Sequence, residues 1–142
     1  MKLIIHTDGG ARGNPGPAAI GVVAKDEYGK KLFELSQVIG ETTNNVAEYT
    51  AVVEALKTIK HNPTRFKNSL EVQFFLDSTL VVHQLNGLFK VKDARLRELL
   101  SMVRILEQET GGNVRYSVVP REYNRRADFL VNRALDGSLM SG

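Results

Sequence analysis

The feature that most constrains the fold is a change of hydrophobic period near residue 42. Before this point, short apolar runs rich in Ile and Val alternate with Gly- and Pro-containing segments, which is typical of β-strands joined by turns. After the polar sequence 42–45 (TTNN), apolar residues recur about every 3.6 positions, which indicates an α-helix. The chain is therefore predicted to begin with strands only and to continue with strands and helices in alternation.

The predicted elements follow from these patterns and from their capping residues. Three strands come first, over residues 3–8, 18–25 and 31–40, and their short connections favour an antiparallel meander. The remaining predicted elements are a helix from the 42–45 caps to about Ile59, a strand over 70–76, a short helix capped by Ser78, a longer helix capped by Asp93, a strand over 114–119, and a helix capped by Asn124 that ends near Leu135. This order predicts an α/β fold in which helices cover the faces of a mixed sheet.

Length and composition limit the classes of protein that the chain can belong to. Its 142 residues make about one domain, and no repeat or linker divides them. The absence of Cys excludes a disulfide framework, a zinc–thiolate site, an iron–sulfur cluster and a cysteine nucleophile. No apolar run approaches the roughly 20 residues of a membrane span, and the apolar run at the N-terminus is too short for a signal peptide. We therefore expect a soluble, cytoplasmic protein without a membrane partner, and we expect a monomer.

Four acidic residues fall where the predicted elements would bury them. Asp8 and Asp77 end two apolar strands, Glu48 lies on the apolar face of the first helix, and Asp128 flanks the apolar stripe of the last helix. Each has a purely structural alternative. Asp77 could cap the helix that starts at Ser78, Asp8 could form an Asx turn, Asp128 could face the helix dipole, and Glu48 could pair with a basic neighbour.

Taken together, the four acidic residues favour a metal site. If the first and fourth strands are parallel neighbours, their carboxyl ends place Asp8 beside Asp77, at the edge of the sheet where ligands bind in open α/β folds. Clustered carboxylates repel one another and raise each other's pKa unless a cation neutralises them. An all-oxygen ligand set without Cys favours Mg²⁺ or Mn²⁺.

The net charge of +3 comes entirely from residues 61–142, where basic residues form two groups. These groups are Lys90, Lys92, Arg95 and Arg97, and then Arg115, Arg121, Arg125 and Arg126. Such groups suit a polyanion such as nucleic acid. Solvated helix and loop surfaces have the same composition, so charge alone leaves both interpretations open.

Four blocks of sequence carry a more specific signal in combination. They are Thr7-Asp8-Gly9-Gly10 followed by Gly13-Asn14-Pro15-Gly16-Pro17, then Thr43-Asn44-Asn45-Val46-Ala47-Glu48, then Leu76-Asp77-Ser78, and finally Ala127-Asp128. In this order they resemble the signature blocks of type 1 ribonuclease H, the ribonuclease HI family, over residues 2 to about 136. Segments 80–87 and 119–124 are most similar to its compact archaeal-type branch, which lacks the basic protrusion of many bacterial relatives.

The resemblance implies a fold and an activity. The expected fold is ribonuclease H-like, with a five-stranded mixed sheet in the order 3-2-1-4-5, strand 2 antiparallel, and helices on both faces. The expected organisation is one ribonuclease H domain over residues 1–142, with a core over about 2–136 and a short C-terminal tail over 137–142. The expected activity is endonucleolytic hydrolysis of the RNA strand of RNA–DNA hybrids, which leaves 5′-phosphate and 3′-hydroxyl ends. Activity on double-stranded RNA stays open.

The resemblance also implies roles for individual residues. Asp8, Glu48, Asp77 and Asp128 would hold two Mg²⁺ or Mn²⁺ ions when substrate is bound. Many relatives carry a catalytic His in the loop before the last Asp, and because this loop has none, we expect Arg121 to contact the phosphate there. The expected substrate-binding residues are Gly9, Asn14, Thr43, Asn44, Asn45 and Ser78, with Lys90 and Lys92 as a reduced substitute for the basic protrusion.

Three other interpretations share the expected fold. A catalytically silent hybrid-binding module is disfavoured because all four carboxylates are present, and a pure binder would gain from neutral residues near phosphates. A detached reverse-transcriptase nuclease domain is disfavoured by a chain that starts at Met1 and shows no linker. Integrases and resolvases lack the 43–45 block beside the helix Glu.

Overall fold

The computed structural model describes the backbone of residues 1–66 and 70–141 and the side chains up to residue 137, and a five-stranded sheet forms its centre. The strands are β1 (Lys2–Ala11), β2 (Gly16–Asp26), β3 (Lys31–Thr42), β4 (Glu71–Leu76) and β5 (Val114–Val118). Their order is β3-β2-β1-β4-β5, with β2 antiparallel to both of its neighbours and with β1, β4 and β5 parallel. The expected strand order and directions are confirmed.

Four α-helices connect and cover these strands. They are α1 (Asn44–Lys60), α2 (Thr79–Leu85), α3 (Ala94–Glu109) and α4 (Arg125–Ser141), with a 3₁₀ turn over Arg121–Tyr123 before the last. The side chains of Thr43, Ser78 and Asp93 each accept a hydrogen bond from the backbone amide three residues later. The caps Ser78 and Asp93 are as predicted, and Thr43 is the cap among the candidates at 42–45. None of the described helices has both the length and the apolar character needed to cross a membrane.

The helices pack on both faces of the sheet. On one face, α1 covers Leu3 and Ile5 of β1 and the alternate β2 residues that share their side, and α3 packs beside α1 in the same core. On the other face, Val131 and Leu135 of α4 pack against Ala19 of β2. Because successive side chains of a strand point to opposite faces, β2 supplies apolar residues to both layers and is almost entirely buried.

Two glycines allow these helices to lie unusually close to the sheet. A Cβ atom on Gly9 would overlap the main-chain carbonyl of Ala47 in α1, and one on Gly21 would overlap the main-chain carbonyl of Ala127 in α4. Both contacts lie near acidic residues, since Gly9 follows Asp8 and Gly21 pairs with Asp8 across β1 and β2. The glycines therefore bring the first turns of α1 and α4 to the same part of the sheet.

Three boundaries differ from the predictions. Asp8 does not end β1, because residues up to Ala11 keep pairing with β2 after the pairing with β4 has stopped at His6. Helix α4 does not end near Leu135 but continues through Ser141, so most of the expected tail is helical. Asn124 precedes α4 as predicted, and its carbonyl oxygen accepts from the Asp128 amide, but its side chain points into the sheet. The extension of β1 and the orientation of the Asn124 side chain each depend on a partner distant in sequence.

Candidate active site

Three carboxylates meet beside the point where β1 and β4 part. One oxygen of each of Asp8, Glu48 and Asp77 lies within 4.8 Å of the others. The parallel pairing of β1 with β4 ends at His6 opposite Phe75, and continuing that register places Asp8 opposite Asp77. Glu48 reaches the same place from the second turn of α1.

Burial and mutual repulsion dominate the electrostatics of this cluster. Asp8 is 8% exposed and Glu48 is 7% exposed. Burial, followed by the charge of Asp77, raises the pKa of Asp8 from 3.8 to about 7. Burial and the charge of Asp8 raise the pKa of Glu48 well above its ordinary value. At neutral pH, these groups therefore favour either a proton or a cation.

The donor set fits a divalent cation. Glu48 Oε2 is buried and has no hydrogen-bond partner, although buried polar atoms are normally paired. All ligand atoms in the cluster are carboxylate oxygens, which Mg²⁺ and Mn²⁺ prefer. The structural alternatives for two of these residues do not hold. Within residues 1–66 and 70–137, Glu48 forms no salt bridge, and α2 is capped by Ser78 rather than by Asp77.

The fourth acidic residue, Asp128, stands apart from this cluster. It is exposed in the first turn of α4 and lines the same cleft, and its charge contributes to the raised pKa of Asp8. Its oxygens are not among those that lie within 4.8 Å of one another. A first-turn carboxylate also stabilises the helix dipole, so both interpretations of Asp128 fit its position.

The cleft around the carboxylates has a volume of about 460 Å³. Five of the other sequence-predicted residues line it: Gly9, Asn44, Asn45, Ser78 and Arg121. Thr43 and Asn14 are not among the described residues of the cleft wall, and the Thr43 side chain caps α1. Lys90 and Lys92 are exposed in the connection before α3 and are not among the described residues of the cleft wall.

Asn14 and Asn44 tie the loop after β1 to the start of α1. The Asn44 amide donates to Asn14 Oδ1 (2.9 Å), and the Ala11 amide donates to Asn44 Oδ1 (2.8 Å). Both side-chain oxygens are thus occupied. In the described part of the chain, neither side-chain nitrogen donates to a protein acceptor, so both amide nitrogens can donate to a ligand.

Sequence reasoning missed three polar residues of the site: Asn124, Arg12, and Asn132, which lines the cleft and accepts from Arg12. The side-chain nitrogen of Asn124 donates to the Thr7 carbonyl oxygen (2.9 Å) and to Asp77 Oδ2 (3.2 Å), and the residue is 1% exposed. Arg12 lines the cleft and contacts α4. Arg12 could have been noticed as a cation inside the glycine-rich loop after Asp8, whereas Asn124 gave no signal beyond that of a helix cap.

The arrangement of the sheet and the carboxylates defines a class of protein. A sheet in the order β3-β2-β1-β4-β5, with buried carboxylates beside the ends of the parallel β1–β4 pairing, is the ribonuclease H-like fold with a site suited to divalent cations.

Comparison with known proteins places the chain within this class. A family model described as reverse transcriptase-like matches residues 6–134. LC11-RNase H1, isolated from compost by a metagenomic approach, is 48% identical with a TM-score of 0.92, and the match covers 97% of this chain and 98% of that one. RNase H1 of the archaeon Halobacterium salinarum is 36% identical with a TM-score of 0.87, covering 96% and 99% of the two chains. The chain belongs to the type 1 ribonuclease H family, close to these compact archaeal-type members.

Other relatives are longer than this chain. A bifunctional protein of Mycobacterium tuberculosis is 40% identical over an alignment of 143 positions, which covers 99% of this chain but 37% of that protein. The chain thus spans little more than a third of the length of the first curated relatives that it matches. LC11-RNase H1 has also been solved in complex with an RNA/DNA hybrid, and that structure is 47% identical to this chain with a TM-score of 0.91.

Proposed function

We propose that the chain is an endonuclease that hydrolyses the RNA strand of RNA–DNA hybrids and leaves 5′-phosphate and 3′-hydroxyl ends. The observation that carries this proposal is the cluster of Asp8, Glu48 and Asp77, whose oxygens lie within 4.8 Å of one another in the fold of type 1 ribonuclease H. The complex of LC11-RNase H1 with an RNA/DNA hybrid supports the choice of substrate.

The proposed cofactor is Mg²⁺ or Mn²⁺, with two ions per site when substrate is bound. Asp8, Glu48 and Asp77 would hold the ions, and Asp128 would join them from the rim of the cleft. When bound, such ions activate a water molecule for attack on the phosphate and stabilise the leaving 3′ oxygen. The raised pKa values of Asp8 and Glu48 support this assignment, because a bound cation offsets both the burial and the mutual repulsion that raise them.

The chain's own residues would position the substrate and the carboxylates. Asn124 donates to Asp77 and so holds one carboxylate in a fixed orientation. The side-chain nitrogens of Asn14, Asn44 and Asn45 are assigned to the 2′-hydroxyls of the RNA strand, which DNA lacks. Gly9, Thr43 and Ser78 shape the backbone on which these groups stand, since Gly9 lets α1 approach β1 while Thr43 and Ser78 cap α1 and α2.

The basic residues have a separate role in this proposal. Arg121 lines the cleft together with Asp77 and Asp128, which supports assigning its guanidinium to the scissile phosphate. Lys90 and Lys92 are exposed outside the described cleft wall and would contact the backbone of the DNA strand. An Arg121→Ala variant separates the two kinds of contact, because it should lower kcat well beyond any change in KM. A pure KM effect would show that Arg121 only binds.

The test of the proposed function is cleavage of a labelled RNA–DNA hybrid with Mg²⁺ or Mn²⁺. EDTA, Asp8→Asn and matched RNA–RNA and DNA–DNA duplexes are run beside it. Glu27→Gln serves as the control variant, because Glu27 is an exposed carboxylate in the turn between β2 and β3. We expect metal-dependent cutting of the RNA strand, lost in Asp8→Asn and kept in Glu27→Gln. Folded wild-type protein that binds the hybrid without cutting it with either metal would instead support a silent binding module.

We propose three further properties. Every carboxylate of the cluster comes from one chain, so a monomer can be active, and gel filtration with light scattering tests this. A single domain with a core over about 2–136 is tested by limited proteolysis. A cytoplasmic location stays a prediction, to be tested by cell fractionation.

A further inference from the structure

Arg12 is a cation of the cleft to which the proposed function assigns no role. It follows β1, and its Nη2 atom donates to Asp136 Oδ1 (2.7 Å) and to Asn132 Oδ1 (3.3 Å), both on α4. Within residues 1–66 and 70–137, its Nε and Nη1 groups donate to no acceptor. The guanidinium is therefore anchored at one nitrogen and keeps N–H groups for another ligand.

The loop that carries Arg12 has a well-defined backbone. The Arg12 amide donates to the Pro17 carbonyl oxygen (2.8 Å), which closes the loop. A Cβ atom on Gly16 would overlap the Arg12 carbonyl oxygen, so this tight path depends on glycine. The Asn14–Asn44 hydrogen bond fastens the same loop to α1. Because the backbone is already ordered, Arg12 loses little conformational freedom when it binds a ligand.

The distribution of charges in the cleft indicates a role for Arg12 in binding an anionic ligand. The described wall of the cleft carries four carboxylates but only two guanidinium groups, those of Arg12 and Arg121. The two cations lie at different ends, since Arg121 also borders a recess beside Arg125 whereas Arg12 also borders a groove beside Pro17. A nucleic acid strand that enters between them meets a cation on each side of the carboxylates that repel it.

We propose that the Arg12 guanidinium binds a backbone phosphate of the strand that enters the carboxylate cleft, and that Asp136 holds the guanidinium in position until this phosphate displaces it. The inference rests on the proposed function and adds a binding residue to it. The Arg12–Asp136 pair is suited to exchange, because the two side chains are 38% and 63% exposed and exposed ion pairs are weak. A phosphate offers two acceptor oxygens, which Arg binds in a bidentate manner.

Asn132 keeps the Arg12 guanidinium oriented while phosphate replaces Asp136 as its partner. It is neutral, lines the cleft and lies one helical turn before Asp136 on α4. Its Oδ1 atom accepts from the same Nη2 atom that contacts Asp136. When the carboxylate is displaced, this neutral contact remains and keeps the guanidinium at the wall of the cleft.

The test measures binding of a fluorescent RNA–DNA hybrid by anisotropy in EDTA over a series of salt concentrations, with cleavage rates in Mg²⁺ beside it. For Arg12→Met we expect the dissociation constant to rise about tenfold, as for the loss of one charge-assisted contact. The slope of log Kd against log salt should fall by about one, and kcat should change less than about twofold. For Asp136→Asn we expect binding about two- to threefold tighter, because no carboxylate then competes with the phosphate.

The matched control is Arg133→Met, which removes a guanidinium of α4 that packs over the Phe129 ring. It should leave the salt slope unchanged. The proposal is overturned if Arg12→Met keeps the wild-type slope and affinity, or if Asp136→Asn weakens binding as Arg12→Met does. Opposite effects of the two variants cannot come from a shared loss of folding. If the wild type cleaves the hybrid and Arg12→Met binds it normally, only this inference fails, whereas a wild type that neither binds nor cleaves refutes both proposals.

Discussion

Replacing Asp8 with Asn should stabilise the metal-free protein while abolishing its activity. Asp8 is buried beside Asp77 and Glu48, and its pKa is raised from 3.8 to about 7. At pH 8 the folded chain must therefore hold a charge that its surroundings disfavour. The pKa of Asp8 differs by about three between the unfolded and folded states, which corresponds to roughly 4 kcal/mol in the free energy of unfolding. Asn has a similar shape without the charge, but its side-chain amide needs hydrogen-bond acceptors. We therefore expect the free energy of unfolding to rise by roughly 2–4 kcal/mol.

The pH dependence gives this prediction its sign. A carboxyl group whose pKa is higher in the folded state binds more protons when folded, so the wild type loses stability as pH rises from about 4 to about 7. The gain from Asp8→Asn should accordingly be largest at pH 8 and disappear near pH 4. For a chain of this length, about 3 °C per kcal/mol predicts a melting temperature roughly 6–12 °C higher at pH 8.

The assay is thermal unfolding in EDTA at pH 4 and pH 8, with Glu27→Gln as the exposed-carboxylate control. Glu27→Gln should change the melting temperature little at either pH. Adding Mg²⁺ should raise the melting temperature of the wild type and reduce the advantage of the variant, since the ion binds the folded wild-type site. The reasoning is refuted if Asp8→Asn is destabilising at pH 8, or if its effect is the same at both pH values.

Three other substitutions test separate parts of the structure. Gly9→Ala should lower the free energy of unfolding by more than about 2 kcal/mol and remove activity, because the new Cβ atom would meet the backbone of α1. Gly10→Ala should be nearly neutral in urea unfolding, because its Cβ atom would lie 3.6 Å from the nearest side chain. Asn124→Ala should cost about 1–3 kcal/mol and weaken Mg²⁺ binding in calorimetry, because a buried β1 carbonyl and one carboxylate lose their donor. The hydrogen bonds of Arg126 hold the pKa of Glu34 at about 2, so Arg126→Met should slightly lower the melting temperature at pH 7. This difference should vanish as pH falls from about 4 to about 2, and a difference that stays constant with pH would contradict the reasoning.

The carboxylate cluster shows how far local patterns reach. Asp8 and Asp77 are 69 positions apart, yet each follows an apolar segment of a strand, and parallel pairing alone brings the ends of such strands together. Glu48 was identifiable because the helical period put an acid on an apolar face. Asp128 carried the same kind of signal, but the structure leaves it exposed at the rim of the cleft. Periodicity therefore predicts the face on which a residue lies but not its depth.

The type and order of the elements, their N-capping residues and the identity of the acidic site residues were determined by the sequence alone, because each depends on interactions within a few residues or on the period of one element. The meeting of Asp8 with Asp77 depends in addition on the parallel pairing of β1 with β4. The extension of β1 beyond Asp8, the orientation of Asn124 toward Asp77 and the contact of Arg12 with Asp136 were decided only by the tertiary structure. Each joins segments far apart in the chain, and Arg12 and Asp136 are separated by 124 positions. Which partner such a side chain meets depends on how helices pack on the sheet, and no local pattern encodes it.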